Sequence, residues 1–315
     1  MAFIVKKNKI YSDLIEVKAL DQCNLSCFSC NELSPVSANR LPTLAATQES
    51  LEFLEKVYHA KTARILGGEP LLRRDIADFV KVVKASGIAD SVRIVSNGTY
   101  LERFNVELLQ ALDSVEISLY PGVGVTIDSL MQLKEKCLQY DVALYVKQTN
   151  FFRISYSELG TKDNGLVNRI FKTCKVVHLW GCHCIYDGFF FKCTNAPNID
   201  RLVHNNLNYP SGIKLEDKNN FYHDLVEYLT SDTVLPSCKS CLGNVGLKVP
   251  HSQVVRDAWR ASHQKPSEEL VDYEYLMASE KNNEWMHDTI EHEFHGFSAG
   301  NGIDGLLPLG VFSSD

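Results

Sequence analysis

No apolar run in the 315 residues is long enough to span a bilayer. The longest, Phe189-Phe190-Phe191 and Ile303 to Phe312, are short or broken by Gly, Pro and Asp, whereas a membrane helix needs roughly 20 apolar residues in succession. The N-terminus, Met1-Ala-Phe-Ile-Val-Lys-Lys, places its charges after its apolar residues, the reverse of signal-peptide order. A cytoplasmic location and no membrane partner are therefore expected. A basic surplus is missing too: Lys and Arg number 32 against 39 Asp and Glu, a net charge of −7. Nonspecific nucleic-acid affinity comes from clustered cations, so no nucleic-acid partner is expected. Internal repeats and low-complexity linkers are absent. With 45% hydrophobic and 23% charged residues, the chain reads as one large globular domain, alone or with a smaller one attached.

Cysteine is what the chain has in abundance. Ten are present, and in a reducing compartment such thiols are more often metal ligands or reactive groups than disulfides. They form two groups, at 23–30 and 174–241, with Cys137 alone between them, which suggests two sites. Cys137 falls on one face with Leu130 and Leu133 in a helical pattern and reads as core. Cys23-Asn-Leu-Ser-Cys27-Phe-Ser-Cys30 packs three thiols into eight residues without a fourth nearby. Structural zinc and iron–sulfur sites usually take four protein ligands, so a local set of three points to a metal with one position open for a substrate or cofactor. The plain alternatives are a zinc knuckle or three unrelated core thiols.

From Leu14 to about Gln148 the chain repeats a short apolar run, a turn and an amphipathic segment. Strands are expected at Leu14–Leu20, Ala63–Leu66, Val92–Val95, Val115–Leu119 and Ala143–Val146. A helix is expected over Asp75–Ser86, where Ile76, Phe79, Val80 and Val83 share a face and Gly87 follows as a C′ residue. Another is expected over Ile127–Tyr140. This alternation predicts an α/β fold with a parallel sheet and right-handed crossovers, open or closing into a barrel. After residue 150 the rhythm changes: His178–Lys192 reads as a hairpin turning at Asp187-Gly188. Beyond about Val254 the sequence is charged and aromatic, with a helical stretch near Pro266–Glu280 and a Gly-rich end. Three regions follow: a core over 1–150, a smaller cysteine-bearing module over 151–254 and a tail over 255–315.

CxxxCxxC directly after a first strand resembles the radical S-adenosylmethionine (radical SAM) superfamily. The resemblance implies a partial (β/α)6 TIM-like barrel. It also implies a 4Fe–4S cluster held by Cys23, Cys27 and Cys30, whose open iron chelates SAM. Reductive cleavage of SAM to a 5′-deoxyadenosyl radical would follow, with a flavodoxin- or ferredoxin-type protein as electron donor. Gly67-Gly68-Glu69-Pro70 is similar to the family's GGEP motif, which assigns Gly67, Gly68, Glu69 and Pro70 to the SAM amino group. Glycine allows close backbone approach, and a carboxylate suits an ammonium. Ser96-Asn97-Gly98 resembles the family's T/S-N-G turn, and Ser118-Leu119-Tyr120-Pro121-Gly122 its S-L-D-G strand end, where the serine approaches the ribose. Tyr120 stands where the family usually has Asp, which puts a carboxylate role there in doubt and makes a phenol contact available. Lys147 and Gln148, ending the fifth strand, are placed for the SAM carboxylate or ribose, with an ordinary polar strand end as the alternative.

In the second group, Gly188-Phe-Phe-Phe-Lys-Cys193 is a Gx4C unit and Cys238-Lys-Ser-Cys241 a CxxC. With Cys174 they resemble the family's twitch/SPASM-like β-hairpin domain, which implies a second, auxiliary 4Fe–4S cluster on Cys174, Cys193, Cys238 and Cys241. Cys182, lying across the hairpin from residue 193, is the alternative fourth ligand. A thiol left over, Cys182 or Cys184, would donate a hydrogen atom to a substrate radical, so these two and Tyr120 are the catalytic candidates. A zinc ribbon is the alternative for the whole group. His183, His204, His223 and His251 are isolated and receive no role. His287, His292 and His295 lie among acids and read as a solvated face.

Only 22 residues precede Cys23, too few for the N-terminal peptide-binding domain of many peptide-modifying relatives. A short barrel with one twitch cluster looks most like the family's carbohydrate enzymes, an aminocyclitol dehydrogenase and a neomycin epimerase among them. The expected substrate is a sugar or aminocyclitol-like small molecule, and the expected reaction epimerisation or oxidation. Net acidity suits a cationic amino sugar. Radical modification of a peptide, and a non-catalytic iron–sulfur or zinc protein, are the competing readings.

Overall fold

The computed structural model describes residues 3–217 and 219–281, and the backbone of 294–297. The sheet starts with a hairpin. Strand β1 (Phe3–Lys6) turns into β2 (Lys9–Leu20) through Lys7 and Asn8, both left-handed at φ 50° and 59°. That two-residue turn carries the twist antiparallel neighbours need. From Ile15 to Leu20 every residue of β2 is buried, as expected of a strand covered on both faces.

Four βα repeats follow. Helix α1 (Leu44–Glu55) begins at Thr43, whose hydroxyl accepts from the Ala46 N–H, and leads to β3 (Tyr58–Gly67). Helix α2 (Ile76–Ala85) buries Ile76, Phe79, Val80 and Val83 and ends at Gly87, φ 70°, before β4 (Ala89–Ser96). Helix α3 (Val106–Ala111), capped by Asn105, precedes β5 (Ser114–Leu119). Helix α4 (Ile127–Gln139) opens on a Thr126/Ser129 capping box, buries Cys137 and precedes β6 (Ala143–Gln148). Strands β2 to β6 lie side by side in chain order, all parallel. They contain the five strands read from sequence; β2, β3 and β4 are longer than the apolar runs alone indicated.

The sixth parallel strand arrives from another part of the chain. After β7 (Phe151–Arg153), α5 (Asn164–Lys172) and α6 (Lys175–His178), strand β8 (His183–Tyr186) pairs with β2 on the side away from β3, placing His183 opposite Ile15. It turns at Asp187-Gly188 (φ 54° and 76°) into β9 (Phe189–Phe191). Beyond α7 (Ala196–Leu202), β10 (Ile213–Lys214) pairs with β9. The chain continues through α8 (Phe221–Thr230), β11 (Lys248–Pro250), α9 (Arg256–His263), α10 (Ser267–Leu270) and α11 (Tyr273–Lys281); β11 pairs with β7. Strand β12 (Phe294–Phe297) pairs with β6. The sheet order is β10-β9-β8-β2-β3-β4-β5-β6-β12. Six parallel strands are thus present, but the sixth belongs to the cysteine-bearing hairpin, which extends the sheet of the core. The expected stretch Pro266–Glu280 is broken into α10 and α11 at Val271-Asp272. The Gly-rich end lies outside the described residues. Among the described residues, no helix is long and apolar enough to cross a membrane.

The two faces of the parallel sheet differ. Ile15, Val17, Ile65, Ile94, Val115, Ile117 and Val146 are buried in the main apolar cluster with Phe79 and Val80 of α2. Alternating with them are Glu16 and Lys18, Arg64, Arg93, Glu116 and Ser118, and Lys147. Register aligns Glu16 with Arg64 and with Cys184, Arg64 with Arg93, and Ser118 with Lys147. Arg64 bridges Glu16 (3.4 Å) and Glu116 (3.0 Å), and Arg93 reaches Glu116 at 3.2 Å. This polar face and the loops at the C-terminal strand ends frame the site.

Candidate active site

The cysteine loop begins just beyond β2, and the end of β3 presses against its start. Gly68 N donates to Leu20 O and Glu69 N to Gln22 O, both at 2.9 Å. A Cβ on Gly67 (φ 135°) would stand 2.1 Å from Leu20 O, and one on Gly68 would stand 1.9 Å from Gln22 O. The glycine pair therefore allows close approach to the loop that carries Cys23. Glu69 is fully buried. Its Oε1 accepts from Leu71 N (3.0 Å) and Ser96 Oγ (2.9 Å), and its Oε2 from Asn97 N (2.8 Å). Burial pushes its carboxyl above the usual range, opposed by those donors and by Arg103. Asn97 passes the contact on: its Nδ2 donates to Asn24 Oδ1 at 2.9 Å and lies 3.6 Å from Cys23 Sγ. Pro70 opens a short 3-10 turn.

The middle cysteine is held from the far end of the chain. Phe28 N donates to Ser252 O (2.8 Å), Val254 N to Ser26 O (3.0 Å), and Cys27 bridges Gln253 in antiparallel fashion. Trp259 Nε1 donates to Cys27 O at 2.8 Å. His251 Nε2 lies 3.2 Å from Cys27 Sγ, and its ring stacks on Tyr120 at 4.8 Å and 11°. Tyr120 stands beside all three thiols; burial first, then Cys27 and Cys30, raise its phenol far above the ordinary range. The sequence offered no role for His251 because a lone histidine 221 positions after Cys30 carries no spacing signal.

Hydrogen-bond donors surround the thiols. Leu25 N donates to Cys23 Sγ at 3.4 Å, and backbone N–H groups of Ser34 and Glu32 face Cys30. Burial pushes the Cys23 thiol up to about 12, with Cys30 and Glu69 adding to the effect. Cys27 rises for the same reason, with Cys30 and Cys23 as neighbours.

In the second group Cys174, Cys193, Cys238 and Cys241 come together. Burial raises Cys193 strongly, and Cys241, Cys174 and Cys238 each add to it. Cys174 is pushed up to about 12 by burial and then by Cys241. Gly243 N donates to Cys241 Sγ at 3.3 Å, and a Cβ on Gly243 would lie 3.3 Å from Cys174 Sγ. Cys182 lies at the edge of this group: after burial its strongest neighbours are Glu16 and Arg64, on the polar face of the sheet, followed by Cys174 and Cys184. Hairpin register sets Cys184 opposite Phe191, which would bring residue 182 opposite 193, but β8 begins only at His183. Cys184 is fully buried near Lys18, Glu16 and Glu32.

A cavity of about 250 Å³ lies between the two groups. Tyr120 and Asn31 line it toward the first, Asn195, Gly243 and Asn244 toward the second, and Arg64, Glu116, Ser118 and Lys147 form its polar wall. Asn244 Oδ1 accepts from Lys175 N at 2.7 Å, while its buried Nδ2 has no partner. Two larger clefts, of about 710 and 750 Å³, lie against β1 and beside α1, and neither shares a lining residue with this cavity.

Residues 17–138 match the family described as a 4Fe-4S single cluster domain, a span that includes all of the first cysteine group. A probable GTP 3′,8-cyclase of Methanococcus aeolicus is 32% identical over 109 residues, 33% of this chain and 36% of that protein. The GTP 3′,8-cyclase of Lactiplantibacillus plantarum is 31% identical over 110 residues, 34% of this chain and 33% of that protein. The chain thus matches about a third of these relatives' length. The family match spans the stretch that carries the three thiols, GGEP and the strand-end turns. Over this stretch the chain is similar to radical SAM proteins. Among solved structures, BtrN in complex with AdoMet and 2-DOIA aligns with a TM-score of 0.43 at 17% identity, over 70% of this chain and 82% of that one. SuiB of Streptococcus suis bound to S-adenosylmethionine aligns at 0.33 and 16%, over 44% and 32%.

A radical SAM protein uses a 4Fe–4S cluster and SAM, and the donor set here can be tested against that cluster. Among the described residues no three Cys, His, Asp or Glu side chains are gathered tightly enough to grip one metal ion. A zinc ion, with Zn–S of about 2.3 Å, would need such a gathering. A cluster takes each thiolate on a different iron, so it calls for wider spacing. N–H groups aimed at sulfur also suit thiolates, whose charge a cluster would stabilise in these buried positions. The residues present fit the group.

The residues that the resemblance assigned to SAM have these partners within the protein. The two oxygens of Glu69, expected to meet an ammonium, serve three donors of the protein itself. Gln148 donates to Asn150 Oδ1 at 3.2 Å, and Lys147 turns toward Glu116 and Arg64 on the polar wall. Ser118 lies beside Tyr120 in the cavity lining. Sequence reading missed Arg64 and Glu116 in that lining. Their signal was there in the charged residues alternating with apolar ones in Thr62-Ala-Arg-Ile-Leu66 and Val115-Glu-Ile-Ser118.

Proposed function

We propose that this protein is a radical SAM enzyme that modifies a small polar molecule, of the sugar or aminocyclitol class, by epimerisation or oxidation at carbon. The observation that carries the reading is the cavity, which reaches Tyr120 beside the first cysteine group and Gly243-Asn244 beside the second. When bound, a reduced cluster on Cys23, Cys27 and Cys30 supplies the electron that cleaves SAM to a 5′-deoxyadenosyl radical. A flavodoxin- or ferredoxin-type protein is the proposed electron source. Glu69, Ser96 and Asn97 set the loop that presents Cys23. Ser118, Tyr120 and Lys147 offer polar contacts to whatever enters the cavity, and the unpaired Asn244 Nδ2 offers a further donor. Cys174, Cys193, Cys238 and Cys241 hold an auxiliary cluster in a twitch-type module. Cys182, beside the cavity residue Arg64, is then free to give a hydrogen atom to the substrate radical in an epimerisation, whereas Cys184 is enclosed away from the cavity.

Anaerobic reconstitution followed by iron counting and incubation with SAM and dithionite tests this. About eight irons per chain and release of 5′-deoxyadenosine are expected. Cys174→Ala should drop iron to about four, while Cys182→Ala should keep about eight. No SAM cleavage, or zinc in place of iron, would overturn the reading. Equal iron loss in both variants would overturn the ligand assignment.

A further inference from the structure

The first cysteine group depends on a segment that neither its motif nor the parallel strands β2 to β6 supply. Residues 251–259 lie across the loop: two backbone hydrogen bonds fix Phe28 and Val254 to their partners, and Trp259 Nε1 holds Cys27 O at 2.8 Å. Within that frame His251 has little freedom. Its backbone N–H donates to Asn150 O at 2.8 Å, and its ring packs against Tyr120 at 4.8 Å and Phe152 at 5.5 Å, which touch each other at 5.6 Å. Nε2 is thereby set 3.2 Å from Cys27 Sγ, with both residues 8% exposed. A hydrogen bond to sulfur in so dry a place keeps its strength, because water cannot compete for either partner.

We infer that His251 is a positioning residue for the three-thiolate cluster: its Nε2–H donates to the Cys27 sulfur and makes the cluster easier to reduce. This rests on the reading that Cys23, Cys27 and Cys30 hold a 4Fe–4S cluster. A cluster thiolate carries no proton, so in the pair with Cys27 the imidazole must be the donor. An N–H directed at a ligand sulfur withdraws charge from it, which stabilises the reduced, more negative state more than the oxidised one. Two further N–H groups point at Cys23, from Leu25 and Asn97, but both come from loops at the barrel's own strand ends. The donor to Cys27 comes from β11's far side, which ties the potential of the first cluster to the docking of the segment after residue 250.

The test is a reductive titration of the reconstituted full chain without SAM, followed by electron paramagnetic resonance of the reduced three-thiolate cluster. His251→Phe keeps a ring against Tyr120 and Phe152 and removes the donor; His251→Gln keeps an N–H. The expected result is an unchanged iron count in both, and in His251→Phe a potential more negative by about 59 mV, a tenfold change in the one-electron reduction equilibrium. His251→Gln should recover at least half of that shift. If wild type takes up no iron at the first group, the cluster reading itself fails. If wild type loads and His251→Phe titrates at the same potential, the cluster reading stands and the inference is overturned. Equal shifts in His251→Phe and His251→Gln overturn it as well, since repacking and not the N–H would then be the cause. Should His251→Phe not fold, His251→Met takes its place under the same criteria.

Discussion

Glu69 shows how much one buried side chain organises. Its oxygens accept from Leu71 N, Ser96 Oγ and Asn97 N, which link the ends of β3 and β4 to the loop bearing Cys23. Glu69→Gln turns an amide group toward one of those donors, so a buried N–H or O–H loses its acceptor. The expected loss in urea denaturation at pH 7 is about 1–3 kcal/mol. His183 gives the chain an acid-sensitive point. Burial first, then Lys192, lowers it to about 3, and its Nδ1 lies 2.8 Å from Tyr58 Oη. The unfolded chain takes up a proton near pH 6.5 while the folded one does not, so the contribution is full above that pH. It is lost as pH falls from about 6.5 toward 3, at up to about 1.4 kcal/mol per pH unit. In His183→Phe, whose Tyr58 hydroxyl keeps the Leu14 carbonyl at 3.2 Å, the fall in urea midpoint between pH 6.5 and 4 should be shallower than in wild type.

At the scale of elements, the segment from β11 to α9 does for the cysteine loop what a neighbouring strand does for a sheet edge. Trp259 is fully buried, stacks on Tyr156 at 5.6 Å and on His263 at 4.5 Å, and donates to Cys27 O. Trp259→Ala removes both the packing and the donor and should cost about 3–5 kcal/mol by urea denaturation. Hydrogen exchange at the Phe28 and Val254 amides should accelerate more than at the amides of β4, because those two bonds are made to the clamp itself. Equal protection of all these amides in the variant would show that the loop holds its shape alone.

For the whole molecule, the decisive contact is β8 against β2. Through it the cysteine-bearing hairpin continues the sheet of the core, and further ties reinforce the join: Lys18 Nζ to Thr194 O at 3.3 Å, Arg201 to Asp21 at 2.8 Å and Tyr186 to Asp21 at 2.8 Å. With this much shared structure, the two parts should unfold together. Urea transitions followed by far-ultraviolet circular dichroism and by tryptophan fluorescence are expected to coincide; separate midpoints would mean two independently folding units.

The amino-acid sequence by itself determined the five strands β2 to β6, the apolar face of α2 with its Gly87 stop, and the Asp187-Gly188 turn. Each rests on periodicity or turn chemistry within a few residues of chain. It also carried the first site's resemblance, because CxxxCxxC, GGEP and the strand-end turns are local patterns. Only the tertiary structure showed that Gly67 and Gly68 serve the cysteine loop, that Glu69 is enclosed by three donors, and that Cys193 has Cys174, Cys238 and Cys241 as neighbours while Cys182 lies near Glu16 and Arg64 as well as Cys174. It alone brought His251 and Trp259 to Cys27. Contacts between residues more than 220 positions apart leave no mark in spacing or composition; they arise when a folded sheet and its loops bring distant side chains within hydrogen-bonding reach.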